Sequence, residues 1–177
     1  MVSIHLRPPE VAKREMSGHW EGDLIKGKNS ASAVGTLVEM SSGYVMLAKM
    51  NDATATSAVE GFSAALNRMP ITVRKTLTYD QGREVARHAE ITQNTGVAIY
   101  FCDPHSPWQR GSNENINGSI RQYLPKGTDL SVVTQDELDA IAYELNIRPR
   151  KRFDFKNPIE MMNALMKKYQ NGPSSIQ

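Results

Sequence analysis

The sequence predicts an α/β fold, built on a sheet whose antiparallel part is followed by strands separated by helical crossovers. Three observations carry that prediction. Residues 19–50 hold three strand-like stretches in succession, the last two rich in Val, Leu, Thr and Tyr and joined by Ser41-Ser42-Gly43. Residues 55–69 are Ala-rich, with apolar residues at helical spacing. Two short apolar runs, 74–79 and 97–101, then flank a stretch of helical character.

Taken in order, residues 1–17 contain Pro8-Pro9 and mixed charges without periodicity, which predicts an N-terminal arm or linker ahead of a core at 18–170. The first strand is expected over 19–26, and 33–40 with 44–50 as a hairpin with Gly43 in its turn. Asn51-Asp52-Ala53-Thr54 offers N-cap residues for a helix over 55–69, in which Val59, Phe62, Leu66 and Met69 face the sheet. Pro70 ends that helix, and 74–79 forms a buried strand with Asp80 at its C-terminal edge. A helix over 84–95 stops at Gly96, and Val97-Ala98-Ile99-Tyr100-Phe101 is the fifth strand. A segment rich in Pro and Ser leads to a helix over 109–123, and two further helices cover 135–146 and 158–169. The tail 171–177 is expected to be disordered.

Composition narrows the function classes. A chain of 177 residues with 40% apolar and 23% charged residues suits one domain with a real core. No apolar run approaches the roughly 18 residues a membrane span needs, and the N-terminus has no signal-peptide pattern. The single cysteine, Cys102, excludes an internal disulfide framework and a cysteine-rich zinc site, and suits a cytoplasmic protein. Cys102 itself reads as a small buried residue at a strand end. Net charge is only +2, but residues 148–168 gather seven Lys or Arg against two acids. Such local positive charge suits a nucleic acid, or else a solvated face.

Three acids stand out. Asp23 and Glu21 share one side of the first strand, so on pattern alone either can be a ligand. Asp80 lies just outside a strand's C-terminal end, where ligand chemistry gathers in α/β folds, although Asp also forms turns there. Glu114 follows after 33 intervening residues. At helical spacing it shares a face with Arg110, Asn117, Gly118 and Arg121, polar or small residues where a packed helix shows Leu or Val. Three carboxylates without a Cys or His cage form the inventory of a Mg²⁺ site for phosphate chemistry. Carboxylates repel, so without metal they are expected to splay apart. Arg110 and Arg121 suit phosphate contacts, because a guanidinium binds phosphate oxygens in pairs. Asn113 and Asn117 can position substrate or water. His19 and His105 read as structural, Asp103 as a turn residue before Pro104, and Trp108 as packed beneath the helix.

The spacing of Asp80 and Glu114 resembles the Asp-Asp-Glu core of transposases and retroviral integrases. The runs Gly18-His19-Trp20-Glu21-Gly22-Asp23, Phe101-Cys102-Asp103-Pro104 and Ser106-Pro107-Trp108-Gln109-Arg110-Gly111 resemble the bacterial insertion-sequence-thirty transposase family over about residues 18–165. The resemblance implies a ribonuclease H-like fold, a mixed five-stranded sheet with helices on both faces. It implies that Asp23, not Glu21, joins Asp80 and Glu114 as catalytic ligands of two Mg²⁺ (or Mn²⁺) ions. It further implies strand cleavage that frees a 3′-hydroxyl, which then attacks target DNA. The partners it implies are double-stranded DNA, as mobile-element ends and target, and a homo-oligomer on that DNA in a bacterial cytoplasm. The run Asn146-Ile147-Arg148-Pro149-Arg150-Lys151 resembles the family's basic segment, so Arg148, Arg150 and Lys151 are expected on the DNA backbone. Members carry a helix-turn-helix region upstream; about 18 residues precede the core here, so a core or a shortened gene product is expected. A plain nuclease or resolvase on the same scaffold, or a non-catalytic DNA-binding fragment of a decayed element, are the alternatives.

Overall fold

The computed structural model describes residues 1–170; the expected disordered tail, 171–177, lies outside the described residues. Five strands form one mixed sheet: β1 (His19–Lys26), β2 (Ala33–Glu39), β3 (Val45–Met50), β4 (Thr76–Tyr79) and β5 (Ala98–Phe101). Their spatial order is β3-β2-β1-β4-β5. β1, β2 and β3 pair antiparallel, whereas β4 runs parallel to β1 and β5 parallel to β4. The helices are α1 (Ala55–Asn67), α2 (His88–Thr95), α3 (Gly111–Ile120), α4 (Gln135–Asn146) and α5 (Pro158–Gln170).

Period-two alternation divides the strand side chains between two cores. On one face Trp20, Leu37, Met46, Ala48, Met50, Leu77 and Tyr79 pack with Phe62 and Leu66 of α1, Ile91 of α2 and Met162 of α5. On the other, Ile25, Val34, Val38, Val45 and Leu47 meet Ile116 and Ile120 of α3 and Leu138, Ala142 and Leu145 of α4. Helices thus cover both faces, as the resemblance implies. α1 begins where Thr54 Oγ1 accepts the Ser57 N–H at 3.3 Å, and α4 where Thr134 Oγ1 accepts the Glu137 N–H at 3.1 Å. Val59, Phe62 and Leu66 are buried and Met69 packs against the same core. At the β2–β3 turn Gly43 takes φ +71°, and the buried Glu39 carboxylate accepts the Ser42 N–H at 2.8 Å.

Two predicted helices prove shorter. The expected helix over 84–95 is a 3-10 turn at Arg83–Val85 followed by α2, because Arg87 leaves helical geometry at φ −98°, ψ 33° while Val85 anchors the turn in the core. The expected helix over 109–123 is a 3-10 turn at Pro107–Arg110 and then α3. Arg110, at φ −131° and ψ 47°, breaks the run as its side chain turns inward. The arm is not free: Phe101 N–H donates to Val2 O at 2.8 Å, Arg7 Nη1 donates to Thr78 Oγ1 at 2.8 Å, and Val11 is buried. Val2 and Ser3 therefore pair beside β5, while Arg7 reaches β4 and Arg14 reaches β1 and α3.

Candidate active site

The alternation of β1 sends Trp20 toward α1 and Glu21 and Asp23 toward α3. Gly22 between them lies against β4, where an added Cβ would meet Tyr79 and Leu77 side chains at 2.8 and 2.9 Å. The parallel register pairs Glu21 with Thr78. Continued past the strand end, that register brings Asp80 level with Asp23 on the same face.

Arg110 lies between these two aspartates. Its Nη1 is 3.2 Å from Asp23 Oδ2, its Nη2 is 3.3 Å from Asp80 Oδ2, and Nη1 also donates to Gly22 O at 3.1 Å. Arg110 is only 8% exposed. Burial alone would lower its pKa, but the Asp23 and Asp80 charges outweigh that and raise it. The aspartates are held from other sides too: Asp23 accepts the Leu24 N–H and the Asn117 amide, both at 2.9 Å, and Asp80 accepts the Gly82 N–H at 3.1 Å. Each carboxylate keeps free lone pairs and partial exposure.

Glu21 has different surroundings. It is fully buried, accepts the Asn113 N–H at 3.1 Å near the start of α3, and pairs with Arg14 at 3.3 Å. Burial pushes its carboxyl up from the ordinary range, against the pull of that N–H and of Arg14. Glu114 is exposed on α3 and makes no side-chain hydrogen bond or ion pair among the described residues. Among those residues no three His, Cys, Asp or Glu side chains come close enough to hold a metal. The structure therefore brings Asp23 and Asp80 together around a guanidinium and leaves Glu114 apart, on the α3 face it shares with Asn117.

The residues expected on DNA are placed as follows. Arg110 is turned inward onto carboxylates, so in this arrangement it offers nothing to a phosphate. Asn113 is fully buried, and its amide donates to Thr36 Oγ1 at 3.0 Å, wedging α3 onto β2. Asn117 orients Asp23, and Arg121 donates to Lys26 O at 3.0 Å, tying the end of α3 to β1. Arg148 donates to the Tyr123 hydroxyl at 2.6 Å, Arg150 donates to Leu145 O at 3.0 Å, and Lys151 is exposed. Trp108 departs from the expectation of packing: it is 71% exposed, because the turn at Pro107–Arg110 directs Arg110 inward and its neighbour out. His19, buried and bonded to Thr76 Oγ1 at 2.8 Å, has the structural role expected, and Cys102 is buried. Sequence reasoning missed Arg14, which binds both Glu21 and the Ser112 hydroxyl. An arginine in a stretch without periodicity gave no signal of that role.

The integrase core domain family matches residues 13–107. A transposase for insertion sequence element IS1086 from Cupriavidus metallidurans is 64% identical over 166 residues, covering 94% of this chain and 49% of that protein. The transposase InsI for insertion sequence element IS30A from Escherichia coli is 47% identical over 159 residues, covering 90% of this chain and 41% of that protein. The chain thus spans about half the length of the curated relatives it matches. Among solved structures, the simian T-cell lymphotropic virus intasome in complex with PP2A regulatory subunit B56 gamma contains a chain similar at TM-score 0.66 and 17% identity, over 83% of this chain and 55% of that one. That likeness, with the strand order and pairing above, makes the fold ribonuclease H-like. The chain belongs to the integrase core domain family, as a transposase core of the insertion-sequence-thirty type.

Proposed function

We propose that this chain cleaves DNA strands and joins them to target DNA, with Asp23, Asp80 and Glu114 as ligands of two divalent ions. One observation carries the reading: two aspartates from separate strands converge on a single buried cation, at 3.2 and 3.3 Å. An anionic, oxygen-only, partly exposed donor pair on the central strands, beside the C-terminal end of β4, fits a hard ion such as Mg²⁺ or Mn²⁺. The Arg110 guanidinium fills the place where that positive charge is needed. Asp23 and Asp80 would hold the ions, and Glu114 would complete the set from α3. When bound, such a pair of ions aligns attacking and leaving oxygens and offsets the charge that gathers on the phosphate.

The chain's own residues supply the positioning. Leu24 N–H and Asn117 fix the Asp23 carboxylate, and Gly82 N–H fixes Asp80, so neither must be ordered when DNA arrives. For Asp23 and Asp80 to hold a cation, Arg110 would have to release their carboxylates. Glu21 is excluded from the ligand set in this reading, because it is fully buried beneath α3 whereas Asp23 keeps partial exposure. Arg148, Arg150 and Lys151 would meet the DNA backbone, with residues 18–170 as the catalytic unit and 1–17 as an arm. The fold neighbour is part of an intasome, which supports a homo-oligomer on paired DNA ends as the working form.

The test is strand cleavage and joining on a labelled element-end duplex with Mg²⁺ or Mn²⁺. Glu114→Gln keeps the shape and removes the charge, and should lower both products by at least about 100-fold, the scale of losing one charge-stabilising group. Cleavage without joining would favour a nuclease. Equal products from wild type and Glu114→Gln would remove Glu114 from the site.

A further inference from the structure

We infer that a cleft on the far side of α3 from Asp23 and Asp80 is a second phosphodiester-binding site, which grips the DNA backbone away from the point of cleavage; the inference rests on the DNA reading above. The cleft, about 440 Å³, opens between α3 and the segment that follows α4. Arg14, Arg150 and Arg152 line it, together with Ser112, Asn115 and Ser119 of α3. No carboxylate lines it.

Helical geometry makes α3 the wall between the two sites. At 100° per residue, Ser112, Asn115 and Ser119 lie on the side opposite Glu114 and Asn117, with Ile116 and Ile120 seated in the core between them. A Cβ added at Gly111, which also lines the cleft, would meet nothing within 4 Å, so the helix backbone is approachable there.

The charge in the cleft is compensated only in part: Arg14 pairs with Glu21. Among the described residues Arg150 and Arg152 form no ion pair, and the Arg150 Nε is buried without a hydrogen-bond partner. The Arg152 guanidinium lies 4.3 Å over the Phe153 ring, which fixes its plane while leaving its N–H groups available. Burial, then the neighbouring Arg148, lowers the pKa of Arg150; burial, then Arg14 and Arg150, lowers that of Arg152. The acids nearest to offset Arg152 are Glu39 and Glu21, and both are fully buried. Glu39 is taken up by the Ser41 and Ser42 hydroxyls and N–H groups, and Glu21 by Arg14 and α3. Crowded guanidinium groups with neutral hydroxyl and amide donors opposite them suit a phosphate, whose oxygens accept from both.

The test is duplex binding in chelator, where no cleavage occurs, followed by fluorescence anisotropy across a salt series. Arg150→Gln and Arg152→Gln should each reduce the slope of log affinity against log salt by about one, and the double variant by about two. Ser119→Glu, which puts an acid in the cleft and leaves the arginines intact, should weaken binding likewise, so the result does not hang on one variant's folding. Arg87→Gln, whose guanidinium pairs with Glu90 on the α2 side, should leave the slope unchanged. Wild-type slope and affinity in the folded double variant and in Ser119→Glu would overturn the cleft and leave the catalytic reading standing. Loss of inorganic pyrophosphate binding with duplex binding intact would also overturn it, as a small-anion pocket. No duplex binding by wild type would overturn both readings.

Discussion

Glu21 and Asp23 are two residues apart on one face of β1, yet their surroundings set them different tasks. Asp23 keeps open lone pairs beside Asp80, whereas Glu21 is sealed beneath the start of α3. Asp23→Asn should therefore lower metal-dependent cleavage by at least about 100-fold. Glu21→Gln, whose amide oxygen can still accept the Asn113 N–H, should keep most of it. Single-turnover rates on one duplex compare them directly, and equal losses would return Glu21 to the ligand set. Alternation made both acids legible as a same-face pair, and the resemblance favoured Asp23. What the sequence could not convey was the reason Glu21 is closed off, because the Asn113 N–H reaches it from 92 residues away and Arg14 from a stretch without periodicity. Trp108 was misread for a similar reason: one 3-10 turn decides whether it or Arg110 faces inward, and no pattern in that segment encodes the choice.

At the scale of elements, the site depends on how closely β1 lies against β4. Gly22 allows that approach, since an added Cβ would come within 3 Å of the buried Tyr79 and Leu77 side chains. Gly22→Ala should cost about 1–3 kcal/mol by overpacking and lower cleavage, because the strand that shifts carries Asp23. Urea denaturation reads the first effect and the cleavage assay the second; unchanged stability would show that the two strands can separate without strain. Strands and long helices were well marked in the sequence. Thr134 caps α4 where its pattern begins, and the period-two stretches of β2 and β3 divide their side chains between two cores. The misplaced boundaries lie at 84–87 and 107–110, where tertiary demands on Val85 and Arg110 override helical propensity.

For the whole molecule, the sheet gathers Asp23 and Asp80 at its centre while α3 carries Glu114 on one side and a basic cleft on the other. Strand order was legible from sequence only with the help of resemblance, because pairing between β1 and β4 joins segments more than fifty residues apart. The chain spans about half the length of the curated relatives it matches. Whether aspartate oxygens bind the ions is decided by a change of ligand softness. Asp80→Cys replaces a hard oxygen with a soft thiolate, which Mg²⁺ refuses and a softer ion such as Mn²⁺ tolerates better. The native Cys102 is buried and supplies no competing exposed thiol. Cleavage by Asp80→Cys should be lost in Mg²⁺ and partly recovered in Mn²⁺, whereas undiminished Mg²⁺-supported cleavage would contradict Asp80 as a metal ligand.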